Sequence, residues 1–443
     1  MKYEFAGQSE KDADNVWAAS ARLLNMYREP TGSRVIVKPV LGTVRFGDLS
    51  GVFCRAMATV DGVLYVVHGE ALYSVASNGI ATKRGVIPDD PDTTISGNNG
   101  KVTVCAGGIY YLWDGTTLST PTPGAFSEFG SVTFYKQLTV LTEKGGRRVQ
   151  WSDPAAPATL NGLNFATAES TDDDILRAVP VGGGLWVLKT SSIETWAATG
   201  SGDLQAIPGS TNQRGLKAFG LLAEIPNGVF FVGSDGVAYL GSNGGMDRVS
   251  TTAVESSIEH EDPQGALYYE DEGHKFCALL FDSRPAWVYD IAVGEWHERA
   301  EGNDLGPWSV QACCKAYGGY IAGTKTGMLA RFSRTGKDNG LTMVKRAVGR
   351  TYGGDMQRFR VHEVALPVKV GTTTDSDIIE LRVSRDHGRT WSDAMPRPLG
   401  AIGEYARRIV WKRLGQFEQI TLEITYAGSA DITFDAVIEA RAS

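Results

Sequence analysis

One pattern recurs seven times between residues 58 and 332, and it constrains the fold more than any other feature of the chain. A Gly-marked turn leads into an apolar strand of β-branched or aromatic residues. A Gly/Asp/Ser turn follows, then a second strand carrying aromatic residues. The copies read DGVLYVVHGEALYSV (Asp61–Val75), GKVTVCAGGIYYLWDG (Gly100–Gly115), YKQLTVLTEKGGRRVQWSD (Tyr135–Asp153) and GGLWVLKTSSIETWAATG (Gly183–Gly200). They continue as NGVFFVGSDGVAYLG (Asn227–Gly241), HKFCALLFDSRPAWVYD (His274–Asp290) and GGYIAGTKTGMLARF (Gly318–Phe332). The first strands centre near Val66, Thr103, Thr139, Val187, Phe231, Ala278 and Ile321, at spacings of 37, 36, 48, 44, 47 and 43 residues. Each copy is a hairpin with room for two more strands, which is the length of a four-stranded propeller blade, about 40–50 residues. A lone hairpin buries little, whereas stacked blades bury both faces. The chain is therefore read as all-β, with a β-propeller of six or seven blades over residues 51–340. An irregular β-sandwich with hairpins is the competing arrangement.

The texture changes after Gly340. Gly336-Lys337-Asp338-Asn339-Gly340 reads as a linker, and longer strands follow at Arg358–Val370, Ile378–Ser384, Arg407–Arg413, Gln419–Tyr426 and Ile432–Ala440. Their spacing fits a small β-sandwich-like domain over residues 341–443. In Arg407–Arg413 charges fall on both faces, so this strand is expected at an edge or an interface. Residues 1–50 do not match a blade. Asp14–Tyr27 places Val16, Ala19, Leu23 and Tyr27 near helical spacing, and Pro30, Gly32, Pro39 and Gly42 keep the rest extended. An extended arm of this type must dock on the C-terminal domain or a neighbour to be ordered.

A chain of 443 residues exceeds one ordinary core, as two or three domains require. The 53 glycines, with 10 Trp, 16 Tyr and 16 Phe, suit many short strands joined by tight turns. No run of about 18 apolar residues suggests a membrane span, and Met1-Lys2-Tyr3-Glu4-Phe5 opens no apolar signal segment. The cysteines are Cys54, Cys105, Cys277, Cys313 and Cys314, an odd number without CxxC, which reads as buried free thiols made in a reducing cytoplasm. The six histidines are scattered, so no metal site is expected. Formal charge is −8 overall. Residues 340–443 carry 15 Lys+Arg against 13 Asp+Glu, or +2, and the remainder carries 28 against 38, or −10. That is the reverse of the basic stripe of a DNA-binding protein, and any contact with DNA is expected to be non-adhesive.

The sharpest local motif is Ser384-Arg385-Asp386-His387-Gly388-Arg389-Thr390-Trp391, an Asp box of the form S-x-D-x-G-x-T-W. Such boxes recur in sialidases and other propeller glycosidases, where they staple a turn: Ser384 and Asp386 bond turn backbone, Gly388 takes positive φ and Trp391 packs under the hairpin, with Thr390 completing the motif. One clear copy lies outside the repeats, and no arginine cluster or Tyr–Glu pair of a sialidase is assignable. Asp172-Asp173-Asp174 and Glu270-Asp271-Glu272 offer paired carboxylates for a glycosidase, or a calcium site without EF-hand spacing, but charge runs in polar loops are normally solvated. No GxSxG, GxxxxGK[ST] or GxGxxG opening a helix occurs. No catalytic residue and no cofactor are assigned. Arg407, Arg408, Lys412 and Arg413, with Trp411 among them, form the one dense basic cluster. It suits DNA phosphates or an acidic partner surface, and the acidity of the rest of the chain favours the partner.

These segments resemble the tail hub, or nozzle, proteins of short-tailed phages, also called packaged-DNA stabilisation proteins. The resemblance is carried by Leu24-Asn25-Met26-Tyr27-Arg28-Glu29-Pro30 followed by Leu41-Gly42-Thr43 and Gly51-Val52-Phe53-Cys54-Arg55-Ala56; by Gly69-Glu70-Ala71-Leu72-Tyr73; and by Arg407-Arg408-Ile409-Val410-Trp411-Lys412-Arg413-Leu414-Gly415, the most specific. Gln416 and Glu418 depart from a more basic stretch in the family, which weakens any partner contact relying on those charges. The resemblance implies a virion protein synthesised in the bacterial host cytoplasm. It implies a ring, typically of six copies, beneath the portal and a head-completion adaptor ring. A plug or needle and spikes or fibres would be further partners, and genomic DNA would pass without sequence-specific binding. A structural rather than enzymatic role follows. A propeller-fold glycan hydrolase and a generic protein-interaction propeller are the alternatives.

Overall fold

The seven hairpins found in sequence are the second and third strands of seven four-stranded antiparallel blades. The computed structural model describes residues 2–10, 20–199, 202–243, 245–353, 357–369, 377–400, 403 and 407–443. The inner strands are Cys54–Val60, Thr94–Asn98, Phe129–Tyr135, Ile175–Val181, Leu222–Ile225, Gly265–Asp271 and Val310–Ala316. They lie side by side around one axis, and Val310–Ala316 of the last blade meets Cys54–Val60 of the first. The second strands read as nearly continuous apolar runs because neighbouring blades cover both of their faces. Val66 packs with Ile321 and Leu329 of blade seven, while Val67 on the other face packs with Val102 and Val104 of blade two. Each such fully buried side chain stabilises the ring by about 1.5–3 kcal/mol.

The turns between first and second strands show why Gly, Asn and Asp punctuate the repeat. Asn99 and Gly100 hold φ of 50° and 73°, and Asp61 and Gly62 hold 47° and 76°. Two successive positive φ values match a tight two-residue turn to the twist of the strands it joins. Lys136 and Gln137 adopt the same conformation without a glycine.

Sequence alone did not show how the ring closes. Gly42–Asp48, from the segment read as arm, runs antiparallel to Met328–Ser333 and is the outer strand of blade seven. The chain thus fastens its beginning to its last blade, and the ring cannot open without breaking that ladder. Leu23 and Tyr27, read at helical spacing, lie on strands Arg22–Leu24 and Met26–Thr31, whereas Asp14, Val16 and Ala19 fall outside the described residues. The α-helix among the described residues is Thr252–His260, between blades five and six, which periodicity did not mark.

The C-terminal region forms two sheets. One joins Phe359–Lys369 to Arg407–Phe417 on one side and to Val437–Ala442 and Thr433–Asp435 on the other, with Arg34–Pro39, Met26–Thr31 and Lys2–Glu4 completing it. The other runs Val344–Val348, Gln419–Ala427, Ile378–Ser384, Met395–Pro398. Between them Val364, Leu366, Ile409, Trp411, Ile379, Leu381 and Ile424 form one core. The strand expected over Ile432–Ala440 divides at Ala436, whose carbonyl accepts the Phe5 and Ala6 N–H groups.

Arg22–Leu24 stitches the two regions together. It pairs in parallel with Glu295–Arg299 of blade six and antiparallel with Val344–Val348, so a blade sheet continues into a sandwich sheet. Arg22 bonds Glu298 at 2.5 Å. Asn25, at φ 57°, aims its side chain into the joint, where its Oδ1 accepts from Arg299 Nη1 at 3.0 Å and from the Ala300 N–H at 2.9 Å. Its Nδ2 donates to the Val344 carbonyl at 2.8 Å. Arg299 Nη2 donates to Asp338 at 2.6 Å, with both side chains buried. The stretch read as a linker is therefore fastened: Asp338 is a buried counter-ion, and Lys337–Asp338 pairs with Leu341–Thr342.

Removing one partner of a buried ion pair leaves the other charge desolvated and unpaired. Asp338→Ala is expected to cost about 3–5 kcal/mol, and Arg299→Met with Asp338→Leu much less, read from urea-unfolding midpoints. Beside the joint, His297 packs edge-on to Phe276 and near Tyr27. Burial, with Arg299 and His274 nearby, pushes its pKa from 6.5 down to about 3. It stays neutral in the fold while an unfolded imidazole protonates. Its contribution is therefore complete above pH 6.5 and is lost as pH falls toward 3. His274, raised by its bond to Asp290, acts in the opposite sense. His297→Phe should flatten the acid loss of stability between pH 6.5 and 4, measured as melting temperature against pH.

Candidate functional site

Three places can carry chemistry or recognition: the central funnel of the propeller, the Asp-box turn and the basic strand. The funnel follows from the blades, because seven inner strands cannot approach closely enough to fill the axis. It is a cavity of about 840 Å³. Most of its charged side chains have partners. Arg55 donates to the carbonyls of Pro88 at 2.5 Å and Asp90 at 3.1 Å and to Thr93 Oγ1 at 3.0 Å, locking blade one to the loop entering blade two. Arg177 pairs with Glu224 at 3.4 Å, and burial lowers its pKa. Lys315 lies 3.5 Å from Glu270, and Lys325 pairs with Asp282.

Glu270 also accepts from Tyr268 Oη at 2.6 Å. This Tyr–Glu pair on one strand face was missed in sequence, although the alternation Tyr268-Tyr269-Glu270 could have signalled it. Burial first, then the Glu270 bond and charge, push the Tyr268 phenol upward, away from a ready nucleophile. The Nη groups of Arg55 go to backbone carbonyls and Thr93 and Arg177 reaches Glu224, while the buried Nε atoms of both have no hydrogen-bond partner among the described residues.

The acidic runs are paired with neighbouring cations, Asp172 at an exposed site and Asp173 at a buried one. Asp172 pairs with Arg147 at 2.6 Å, and Asp173 with the buried Lys189 at 2.9 Å. Lys189 further donates to the Thr171 carbonyl at 2.7 Å. Arg334 holds Asp271 at 2.6 Å and Glu272 at 3.0 Å. Among the described residues no three His, Cys, Asp or Glu side chains cluster as metal ligands. Cys54, Cys105 and Cys277 are buried, Cys313 and Cys314 partly so, and burial raises all five thiols.

The Asp box spans the turn between Ile378–Ser384 and Met395–Pro398. Asp386 Oδ1 accepts from the Thr390 N–H at 2.8 Å and Oδ2 from Thr390 Oγ1 at 2.6 Å. Ser384 Oγ accepts the Gly388 N–H at 2.8 Å and donates to Asp386 at 2.7 Å. Gly388 sits at φ 83°, where an added Cβ would lie 3.1 Å from the Trp391 ring. These bonds favour the carboxylate and hold Asp386 down at about 2. The Ser384, Asp386 and Thr390 bonds close on their own turn.

The basic cluster divides. Trp411 is fully buried and donates from Nε1 to the Met395 carbonyl at 2.7 Å, so it is a core residue and not part of an exposed patch. Arg408 and Lys412 are exposed and reach Glu439 at 3.0 Å and Glu363 at 4.0 Å. Arg413 is exposed at φ 61°, in a bulge, and Arg407 is half-buried. Among the described residues the strand Arg407–Phe417 pairs only with Phe359–Lys369, so it is an edge.

The chain matches the family model described as Bacteriophage P22 Gp10, beta-propeller, over residues 5–334, and that described as Bacteriophage P22 Gp10, beta-sandwich, over residues 349–441. The propeller match includes the N-terminal segment, as the closing strand requires. No curated protein matches the chain. Among solved structures, the computationally designed Ika8 protein is similar at 15% identity and TM-score 0.43, covering 74% of this chain and 100% of its own. BamB from Moraxella catarrhalis is similar at 12% and 0.41, covering 71% and 97%. A chain of the Mitotic Checkpoint Complex is similar at 13% and 0.48, covering 69% and 95%.

Asp386→Ala should open the turn without unfolding the propeller. The expected readout is faster hydrogen exchange at the Gly388 and Thr390 amides, with exchange of the blade strands unchanged.

Proposed function

This chain belongs to the bacteriophage P22 Gp10 family of phage tail structural proteins, and from that premise we propose that it is the tail hub, or nozzle, of a short-tailed phage. In this reading it forms a ring of six copies below the portal and the adaptor ring. It extends the DNA channel, helps retain packaged DNA with a plug or needle, supports spikes or fibres, and passes the genome at ejection. The role is structural and not catalytic.

The observation that carries the reading is the pairing of a closed, rigid propeller with a firmly stitched second β-domain, matched over nearly the whole chain by the two family models. A ring subunit must offer two different patches that meet its neighbours, and two rigid bodies locked by a buried joint can hold those patches at a fixed angle. The charge supports passage of DNA. A region at −10 in a chain at −8 repels phosphates and leaves the genome free to slide. In this reading the propeller's own funnel, about 840 Å³, is not the conduit; the conduit is the bore of the ring.

Cryo-electron microscopy of the protein alone and in the tailed virion tests this. A sixfold ring below the adaptor, one propeller per subunit, is expected. A chain absent from the tail would sink the reading. The glycan-hydrolase alternative rests on the Tyr268–Glu270 pair alone, and Glu270→Gln should leave any surface-polysaccharide cleavage by the preparation unaltered.

A further inference from the structure

We propose that the outward face of the sandwich's first sheet docks on the carboxylate-rich loop face of the propeller in a second copy of this chain, forming the head-to-tail contact of the ring. The inference rests on the ring reading above and names the two surfaces that meet.

The sheet face is basic. Directly opposed residues on paired strands point the same way. Glu363 stands opposite Lys412 on one neighbouring strand and Arg441 on the other. Ala365 stands between Val410 and Glu439, and Pro367 opposite Arg408. Arg408 reaches across to Glu439 at 3.0 Å, which confirms the shared face. Arg408, Lys412 and Arg441 thus outnumber Glu363 and Glu439 around the half-buried Pro367 and Val410. An apolar centre with an arginine-rich rim is the usual anatomy of a protein interface. The free edge beside it is blunted by the bulge at Arg413 and by its cations, features that discourage addition of another strand. The surface therefore engages through its side chains and not by extending the ladder.

The opposite charge is concentrated on one side of the propeller. The inner strands all run the same way, so the loops entering them and the turns between second and third strands share one face. Those segments carry 17 Asp and Glu against six Lys and Arg, a net −11. The turns on the other face carry five against one, a net −4. On the acidic face Asp89, Asp172, Asp262 and Asp282 keep side-chain exposures of 58%, 91%, 76% and 56% despite nearby cations. Within one subunit only the edge of this sheet nearest blade six reaches the propeller, through Lys38 and Glu272, so the excess of Arg408, Lys412 and Arg441 is matched head-to-tail by the acidic loops of a second copy. Repeated by rotation, such a contact closes a ring, and complementary charge fixes its register. Each copy still brings −8 to the assembly, so the bore stays non-adhesive to DNA.

The test uses the full-length chain, with native mass spectrometry of the purified protein and cryo-electron microscopy of tails assembled with it. Wild type is expected to form a ring that dissociates as salt rises. R408E/K412E/R441E, and separately D172K/D262K/D282K, should lose the ring while keeping the wild-type melting temperature. Mixing the two variants should restore an alternating ring, because each reversed face then meets its complement. A ring that survives R408E/K412E/R441E, or a mixture that stays monomeric, overturns this contact but not the tail-hub reading. A wild-type chain that forms no ring, alone or in the tail, overturns that reading itself.

Discussion

The buried bond between Arg299 and Asp338 is the constraint on which the two bodies of this protein depend. Arg299 ends the outer strand of blade six, and Asp338 follows blade seven, yet they meet at 2.6 Å away from water. Asn25 completes the joint from the N-terminal segment, turning at φ 57° so that its amide touches blade six and the first sandwich strand together. An unpaired charge in this position is costly, and so the joint forms as a unit or not at all. The consequence is geometric: propeller and sandwich share a sheet and a hydrogen-bond network and are not joined by a free linker.

The propeller itself is held by a different force. Its blades share apolar clusters across the seams between blades seven and one, one and two, and four and five, as in the set that joins Val179 and Leu188 of blade four to Val229 and Phe231 of blade five. Burial of this kind is non-directional, and it tolerates varied sequences if each second strand stays apolar on both faces. Directional bonds appear where the packing has gaps. Arg55 ties blade one to the approach to blade two, and Lys189 fills blade four while holding Asp173. Charged residues that look chemical in sequence are in this fold largely the fasteners of loops.

The same division explains the surface. In the Asp box the polar groups close on their own turn. Where a sheet face carries more cations than its own carboxylates satisfy, and the loops of one propeller face carry the reverse excess, the molecule keeps two oppositely charged exposed surfaces.

By itself the sequence determined a propeller of six or seven blades, the seven hairpins that mark them, the separate C-terminal sandwich and the Asp-box turn. All of these are written in local periodicity, in turn residues and in nearest-neighbour hydrogen bonds. It also made the fate of Trp411 ambiguous, because a core tryptophan flanked by cations at alternate positions reads like an exposed patch until the sheet assigns its faces. The tertiary structure decided everything that joins residues distant in the chain. It took Gly42–Asp48 from an arm and made it the last strand of the ring. It turned Leu23 and Tyr27 from helix to strand by giving them partners, made Asp338 a buried counter-ion and gathered the acidic loops on one face. The physical reason is that a strand's edge, a buried charge and a surface potential are all satisfied across space, and a linear pattern does not specify which distant segment will supply the partner.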